Sequence, residues 1–215
     1  MAKRATDRIK LQGVTISYPK IFEPEENMSG KVQYSAQFVI PKNHPQLKEL
    51  QEKVLKVAKE AFPKLPLKNL KIGLKNNDTE TKSDGTVKSE ADPRLKGTFY
   101  FNANADVKRQ PQVVDRRLRV VTDDSGLYAG CKVNASISIF SYEVRNEKGG
   151  VISQGVGFGL GNIQVVETGE RWDGRRNANE EFEVLDEDEV ETGATADAVA
   201  TEEATSGEGD DLPWN

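Results

Sequence analysis

Five basic side chains fall within twelve residues, and an alternating segment precedes them. They are Lys108, Arg109, Arg116, Arg117 and Arg119. Cations follow the phosphates of a nucleic-acid strand, and an aromatic ring stacks on any base. Because the preceding segment carries an outward-facing tyrosine, Tyr100, the pattern predicts a groove for single-stranded nucleic acid. The alternative is an edge strand followed by a solvated, basic hairpin.

The segment before these cations, residues 98–107, alternates with the period of a β-strand. Residues predicted to face the core are Phe99, Phe101, Ala103, Ala105 and Val107. Residues predicted to face outward are Tyr100, Asn102, Asn104 and Asp106. The segment 31–40 directs Lys31, Gln33, Ser35 and Gln37 outward, and the segment 130–144 directs Lys132, Phe140 and Tyr142 outward. These faces carry amides, hydroxyls and aromatic rings with few carboxylates, which suits contact with bases and sugars. The alternative is that loops or a helix cover them.

A last basic cluster carries one aromatic ring and extends the set of candidate contacts. It comprises Arg171, Trp172, Arg175 and Arg176. Chemistry other than binding has little support, because the chain has one histidine (His44) and one cysteine (Cys131). Asp123 and Asp124 precede Ser-Gly, which favours a turn over a magnesium site. We therefore expect no enzymatic activity, no metal and no cofactor, and Cys131 is predicted to be a buried thiol.

The elements that position these residues are mainly strands. We expect a strand over 8–18 with a bulge at Gly13 and its end at Pro19, then a loop over 20–30. A strand over 31–40 and a helix over 45–62, capped by Asn43, follow. Residues 63–97 read as irregular, with a mobile loop at 76–85. Four glycines at every second position in the strand 151–166 favour curling into a barrel, or close approach of a ligand or chain segment.

The charge divides the chain into two parts. Residues 177–215 contain fourteen acidic residues and no Lys or Arg, which leaves residues 1–176 with 30 basic and 21 acidic residues, a net charge of +9. We expect a nucleic-acid-binding domain over 1–176 and a disordered acidic tail over 177–215. Because no signal peptide and no run of eighteen apolar residues occurs, we expect a soluble, cytoplasmic protein without membrane contact.

Several stretches together resemble the bacteriophage single-stranded DNA-binding proteins of the OB-fold class. They are Ser17–Pro24, the strand ending Val39-Ile40-Pro41-Lys42, Gly97–Ala103, Pro111–Asp115, Tyr128–Val133 and Gly159–Gln164. The resemblance implies a five-stranded OB-fold-like barrel with one packed helix and long insertions. It also implies coating of single-stranded DNA during phage replication and recombination, without catalysis, in the infected host cell. An RNA-binding protein and a non-enzymatic virion or adaptor protein are the alternatives, and monomer or dimer is left open.

The end of the chain is similar to the acidic carboxyl ends of bacterial and phage single-strand binders. The matching residues are Asp210, Asp211, Leu212, Pro213 and Trp214. Trp214 stands where the family has a terminal phenylalanine, and Asn215 follows it. The resemblance implies that replication proteins (a polymerase, helicase or nuclease) bind this end.

Deletion of residues 177–215 should strengthen binding to single-stranded DNA at low salt. A tail with fourteen negative charges, tethered to a body of net charge +9, competes with DNA for the same cations. The gain should shrink as added salt screens both interactions. Oligonucleotide titration of both proteins at several salt concentrations measures this, and equal affinities at low ionic strength would contradict it.

Overall fold

The protein is described by a computed structural model that covers residues 5–27, 29–172 and 174. Five long strands form its framework: β1 (Thr6–Glu26), β2 (Val32–Pro41), β5 (Thr98–Asp106), β7 (Lys132–Arg145) and β8 (Val151–Glu167). Three short strands lie at their edges: β3 (Lys71–Ile72), β4 (Lys75–Asn76) and β6 (Val113–Val114). The helices are α1 (Leu47–Ala61) and the single-turn α2 (Lys88–Ala91).

The five long strands close into a barrel. β1 pairs antiparallel with β2, β2 with β5, β7 with β8, and β1 with β7. A short parallel contact between β5 and β8 completes the ring. A five-stranded barrel with these connections is the OB fold, so the predicted fold class is confirmed.

The inward faces of the strands follow the predicted alternation. Phe38, Phe101 and Phe158 are almost fully buried at the centre, with ring centroids 5.3 Å and 4.4 Å apart. Val133, Ala135, Ile137 and Ile139 of β7 are buried, as is Cys131. One expectation for β5 is wrong, because Val107 is 45% exposed where the strand has already ended. Phe99 packs against the core as predicted, although it is only partly buried.

The first strand is longer than its sequence indicates. The bulge at Gly13 is confirmed by a register shift between Leu11 and Val14 and by a φ of +65° at the glycine. The expected end at Pro19 and the expected loop over 20–30 are wrong. β1 continues to Glu26 through a second irregularity, between Ser17 and Lys20, where Tyr18 has a φ of +45°.

Helix α1 packs on the barrel through the predicted apolar stripe, and Leu50, Val54, Val57 and Ala58 are buried. Asn43 is not its cap. Gln46 takes that position, and its side chain bridges to β1 by accepting from the Gln12 N–H and donating to the Lys10 carbonyl oxygen. Neither described helix has the length and apolar character needed to cross a membrane.

The insertion between α1 and β5 is tied to the barrel. β3 adds to β8, β4 adds to β5, and Asn77 is 1% exposed, with Nδ2 donating to Thr98 Oγ1 over 2.8 Å. The expected mobile loop over 76–85 is therefore wrong at its start, because backbone and side-chain hydrogen bonds join this segment to β5. The insertion covers part of the outer face of the barrel.

Asp7→Asn should lower the free energy of unfolding at pH 7 by about 1 kcal/mol, a small value because Lys56 is solvent-exposed. The Arg8 N–H, together with Lys56 and Lys53 of α1, lowers the pKa of Asp7 from 3.8 to about 2. Since the folded-state pKa is the lower one, this contribution is complete above about pH 4 and is lost as the pH falls towards 2.

Urea unfolding of both proteins between pH 7 and pH 2.5 measures the difference. Glu147→Gln, in the exposed turn between β7 and β8, is the matched control and should change stability little at either pH. A difference for Asp7→Asn that stays undiminished at the lowest pH would contradict the assignment.

Candidate nucleic-acid interface

A groove crosses the outer face of β1, β2 and β5, and its floor is made of uncharged polar side chains. Strand register places Ser17, Gln37 and Asn102 in one row and Lys20, Ser35 and Asn104 in the next. Gln37 Nε2 donates to Asn102 Oδ1 over 3.1 Å. The predicted outward positions of β2 and β5 thus form one surface, which Asn27 and Gln33 extend towards the loop after β1.

The groove continues onto β7 and β8, where glycines keep its floor low. Phe140 lies beside Gly157, and a Cβ atom at Gly157 would stand 3.2 Å from the Phe140 ring. This part is lined by four of the predicted contact residues, Phe140, Tyr142, Tyr100 and Asn102, and Lys75 joins them from the insertion.

Close approach of other groups accounts for the glycine run in β8. A Cβ atom at Gly155 would stand 1.9 Å from the backbone oxygen of Lys71 in β3, and one at Gly159 would stand 2.3 Å from Ser138 Oγ. Side chains at these positions would therefore separate β8 from its neighbours. The run shapes the barrel wall and the groove at once.

Tyr100 is not the exposed ring that the alternation predicts. It is 5% exposed, because Lys88 of α2 places Nζ 4.0 Å from the ring centroid and donates to the Tyr100 hydroxyl over 2.7 Å. Burial raises the pKa of Tyr100 and lowers the pKa of Lys88. The alternative, that inserted segments cover the outer face, thus holds at this position. Stacking by Tyr100 stays a prediction that requires Lys88 to move.

A second compartment opens at the other end of the groove, with a volume of 370 Å³. Tyr18 and Gln37 line both spaces, so the compartment is continuous with the groove. Two guanidinium groups lie over two rings in it: Arg94 is 5.0 Å from the Trp172 ring centroid, and Arg171 is 3.9 Å from that of Tyr128. Arg171 and Trp172 were predicted contacts.

The five clustered cations lie outside both spaces. Lys108 and Arg109 follow the end of β5, just beyond the groove floor. Arg116 donates to the carbonyl oxygen of Val166 near the end of β8, and Arg119 pairs with Asp115 over 2.6 Å. All five are exposed. The expectation that the cluster borders the face of Tyr100 is wrong for Arg116, Arg117 and Arg119, because the connection after β5 carries them to β8.

Other predicted positions have separate outcomes. Lys132 Nζ donates to Thr15 Oγ1 over 2.7 Å, at the start of β7 and away from the groove. Arg175, Arg176 and the tail residues Asp210–Trp214 lie outside the described residues. Asp123 forms the expected turn by accepting from the Ser125 N–H. Over the described part of the chain, no group of three His, Cys, Asp or Glu side chains is placed to hold a metal ion.

Sequence reasoning missed several lining residues. They are Tyr18, Lys20, Lys75, Arg94 and Tyr128. Gln33, Ser35, Gln37 and Asn104 also line the groove, and they were already on the predicted outward faces, where their neutral polarity was the signal. Tyr18 and Arg94 had no such signal, because one lies at an irregular backbone position and the other in an inserted segment.

A closed barrel of this connectivity, with a polar, aromatic-flanked groove over its second and third strands, defines an OB-fold protein of the oligonucleotide- or oligosaccharide-binding kind. Comparison with known proteins narrows this class. The chain belongs to the family of the Enterobacter phage Enc34 ssDNA-binding protein, whose family model matches residues 7–193.

Individual relatives fit this assignment. Putative protein p50 of Acyrthosiphon pisum secondary endosymbiont phage 1 is 31% identical over 83% of this chain and 94% of its own length. The single-stranded DNA-binding protein from bacteriophage Enc34, solved in complex with ssDNA, matches with a TM-score of 0.58 at 18% identity, over 77% of this chain and 89% of the other. A second structure of the same phage protein matches with a TM-score of 0.56 at 18% identity, over 82% of this chain and 90% of the other. At 18% identity, these two structural similarities show a common fold and no more.

Tyr100→Ala should destabilise the protein by about 3 kcal/mol, and by more than Phe99→Ala. The reason is burial, since Tyr100 is 5% exposed beneath Lys88 whereas Phe99 is only partly buried. Tyr100→Phe keeps the ring and removes the hydroxyl, so it should cost about 1 kcal/mol. Urea unfolding measures all three, and a larger loss for Phe99→Ala than for Tyr100→Ala would contradict this order of burial.

Proposed function

We propose that the protein binds single-stranded DNA without sequence preference, with the strand lying in the groove over β1, β2, β5 and β7. The observation that carries this is the continuous groove itself. Its floor is formed by the amide row of Gln37 and Asn102, and aromatic rings stand at both ends. Membership in a family of phage ssDNA-binding proteins supports the same ligand.

The side chains of the groove floor explain why binding does not depend on the base sequence of the DNA. An amide side chain offers donors and an acceptor, so Gln33, Gln37, Asn102 and Asn104 can pair with the edges of any base. Phe140 and Tyr142 offer ring faces, on which every base stacks. Lys20 and Lys75 at the margins meet phosphates, and Lys108 and Arg109 continue that path beyond β5. Arg116, Arg117 and Arg119 serve a strand that leaves the groove.

This binding serves to coat and protect exposed strands during replication and recombination of a phage genome, in the cytoplasm of the infected bacterium. The protein acts without catalysis and without a cofactor. Residues 1–176 form the binding domain. The acidic residues 177–215 compete with DNA and recruit replication proteins through Asp210–Trp214. The charge division of the sequence supports this arrangement.

Phe140→Ala and Tyr142→Ala should each weaken binding to an oligo-dT strand by about 1–3 kcal/mol, because each removes a stacking surface from the groove. Ile152→Ala is the matched control: Ile152 is an apolar β8 residue that is 64% exposed and lies outside the groove, so its loss should leave affinity unchanged. Fluorescence anisotropy with labelled strands measures affinity, and thermal unfolding confirms that each variant folds.

The same titration at several salt concentrations tests the cations. If about 4–6 cations meet phosphates, the log–log slope should be about −3 to −4. The triple replacement of Arg116, Arg117 and Arg119 by alanine should reduce the magnitude of the slope.

Failure to bind single strands at low salt would overturn the proposal. Tighter binding of a matched RNA strand would replace DNA by RNA as the ligand. Equal affinity for duplex and single-stranded DNA would refute selectivity for single strands.

A further inference from the structure

We propose that the compartment beyond Tyr18 is a separate subsite that receives one nucleobase of the bound strand, and that Tyr18 is the ring over which the strand turns to enter it. The inference rests on the proposed function and specifies the path of the strand within the same site. Four of its residues come from separate segments: Tyr18 from β1, Arg94 from the insertion, Tyr128 from the segment before β7, and Trp172 from the segment after β8.

Tyr18 has a conformation that packing does not explain. Its φ of +45° lies in the left-handed region that residues other than glycine rarely adopt, and such strain tends to persist at ligand-binding sites. The side chain is nevertheless 72% exposed, so no burial of the ring offsets the strain. The backbone irregularity between Ser17 and Lys20 directs Tyr18 to the junction of the groove and the compartment, both of which it lines.

Arg94 is held in place before any ligand arrives. Its backbone N–H and its Nε both donate to Asp92 Oδ1, and its Nη2 donates to Asp92 Oδ2 over 2.9 Å. This two-point pairing fixes the plane of the guanidinium group near the Trp172 ring, 5.0 Å from its centroid. The main chain at Trp172 is itself held, because the backbone N–H of Trp172 donates to the Ala129 carbonyl oxygen over 3.0 Å.

The lining selects a base over a phosphate group. Of the three cations that line the compartment, Arg94 pairs with Asp92 and Lys20 pairs with Glu25, while Asp124 adds a further carboxylate to a lining whose third cation is Arg171. The lining therefore has no excess of positive charge with which to hold a phosphate. A planar, neutral base meets the Trp172 ring and the guanidinium faces of Arg94 and Arg171, on which it stacks. Tyr128, in contrast, is 7% exposed and supports Arg171 from below. The volume of 370 Å³ lies within the range of about 300–1,000 Å³ that ligand pockets occupy.

The test uses the fluorescence of Trp172 in the full-length chain. The chain has two tryptophans, so Trp214→Phe leaves Trp172 as the single reporter. Addition of oligo-dT should quench its emission, with the same midpoint as binding followed by anisotropy of a labelled strand. Binding without any change in Trp172 emission would overturn the inference and leave the proposed function standing. Absence of binding in both measurements would overturn both.

Tyr18→Gly in the same background provides the second arm. Glycine accepts a positive φ, so this variant should unfold at the same or a higher temperature while binding oligo-dT about 5- to 150-fold more weakly. Tyr18→Phe should bind as the parent does. Tyr142→Ala, at the other end of the groove, should lose affinity yet show full quenching of Trp172 at saturation. Affinity of Tyr18→Gly within twofold of the parent would overturn the role of Tyr18.

Discussion

A short parallel contact between β5 and β8 closes the barrel, and the groove depends on it. Only two residue pairs take part, Ala103 with Phe158 and Asn104 with Gly159. On the inner side, the rings of Phe38, Phe101 and Phe158 stack in a row that connects three strands. On the outer side, the glycines of β8 let Ser138 and the β3 backbone approach closely. Successive residues of β8 therefore set both features: Phe158 packs in the core, and Gly157 and Gly159 on the opposite face shape the groove.

Charge is distributed unevenly around this groove, with uncharged side chains on the floor and cations at the margins. In the proposed binding mode the floor is neutral, so stacking and hydrogen bonding there would depend little on salt. The cations at the margins would contact the phosphate backbone without being buried, and burial of a charged side chain is costly. Lys88 is the exception, because it is held over Tyr100 and its pKa is lowered by burial. Displacement of the Lys88 side chain alone would expose the Tyr100 ring.

The sequence predicts well what depends on local periodicity. The inward faces of β2, β5 and β7, the helix α1 and the turn at Asp123 follow from alternation, helical spacing and a turn-forming side chain. It predicts poorly what depends on distant segments. Tyr100 is buried on the outer face because Lys88 of the insertion covers it, and Arg116 lies near the end of β8 because the connection after β5 continues there. The second compartment joins segments separated by more than a hundred residues, so no local pattern announces it.

The pairing of β1 with β7 has a consequence for how the chain acquires this structure. Its end is fixed by hydrogen bonds between Ala5 and Ser141, which are 136 residues apart. Contacts of such sequence separation form slowly, because a long loop must close first. During synthesis β1, β2 and β5 are available early, whereas one edge of β1 waits unpaired until β7 has emerged. An open strand edge invites pairing with other chains. The order of synthesis therefore leaves an interval in which this protein is most exposed to aggregation.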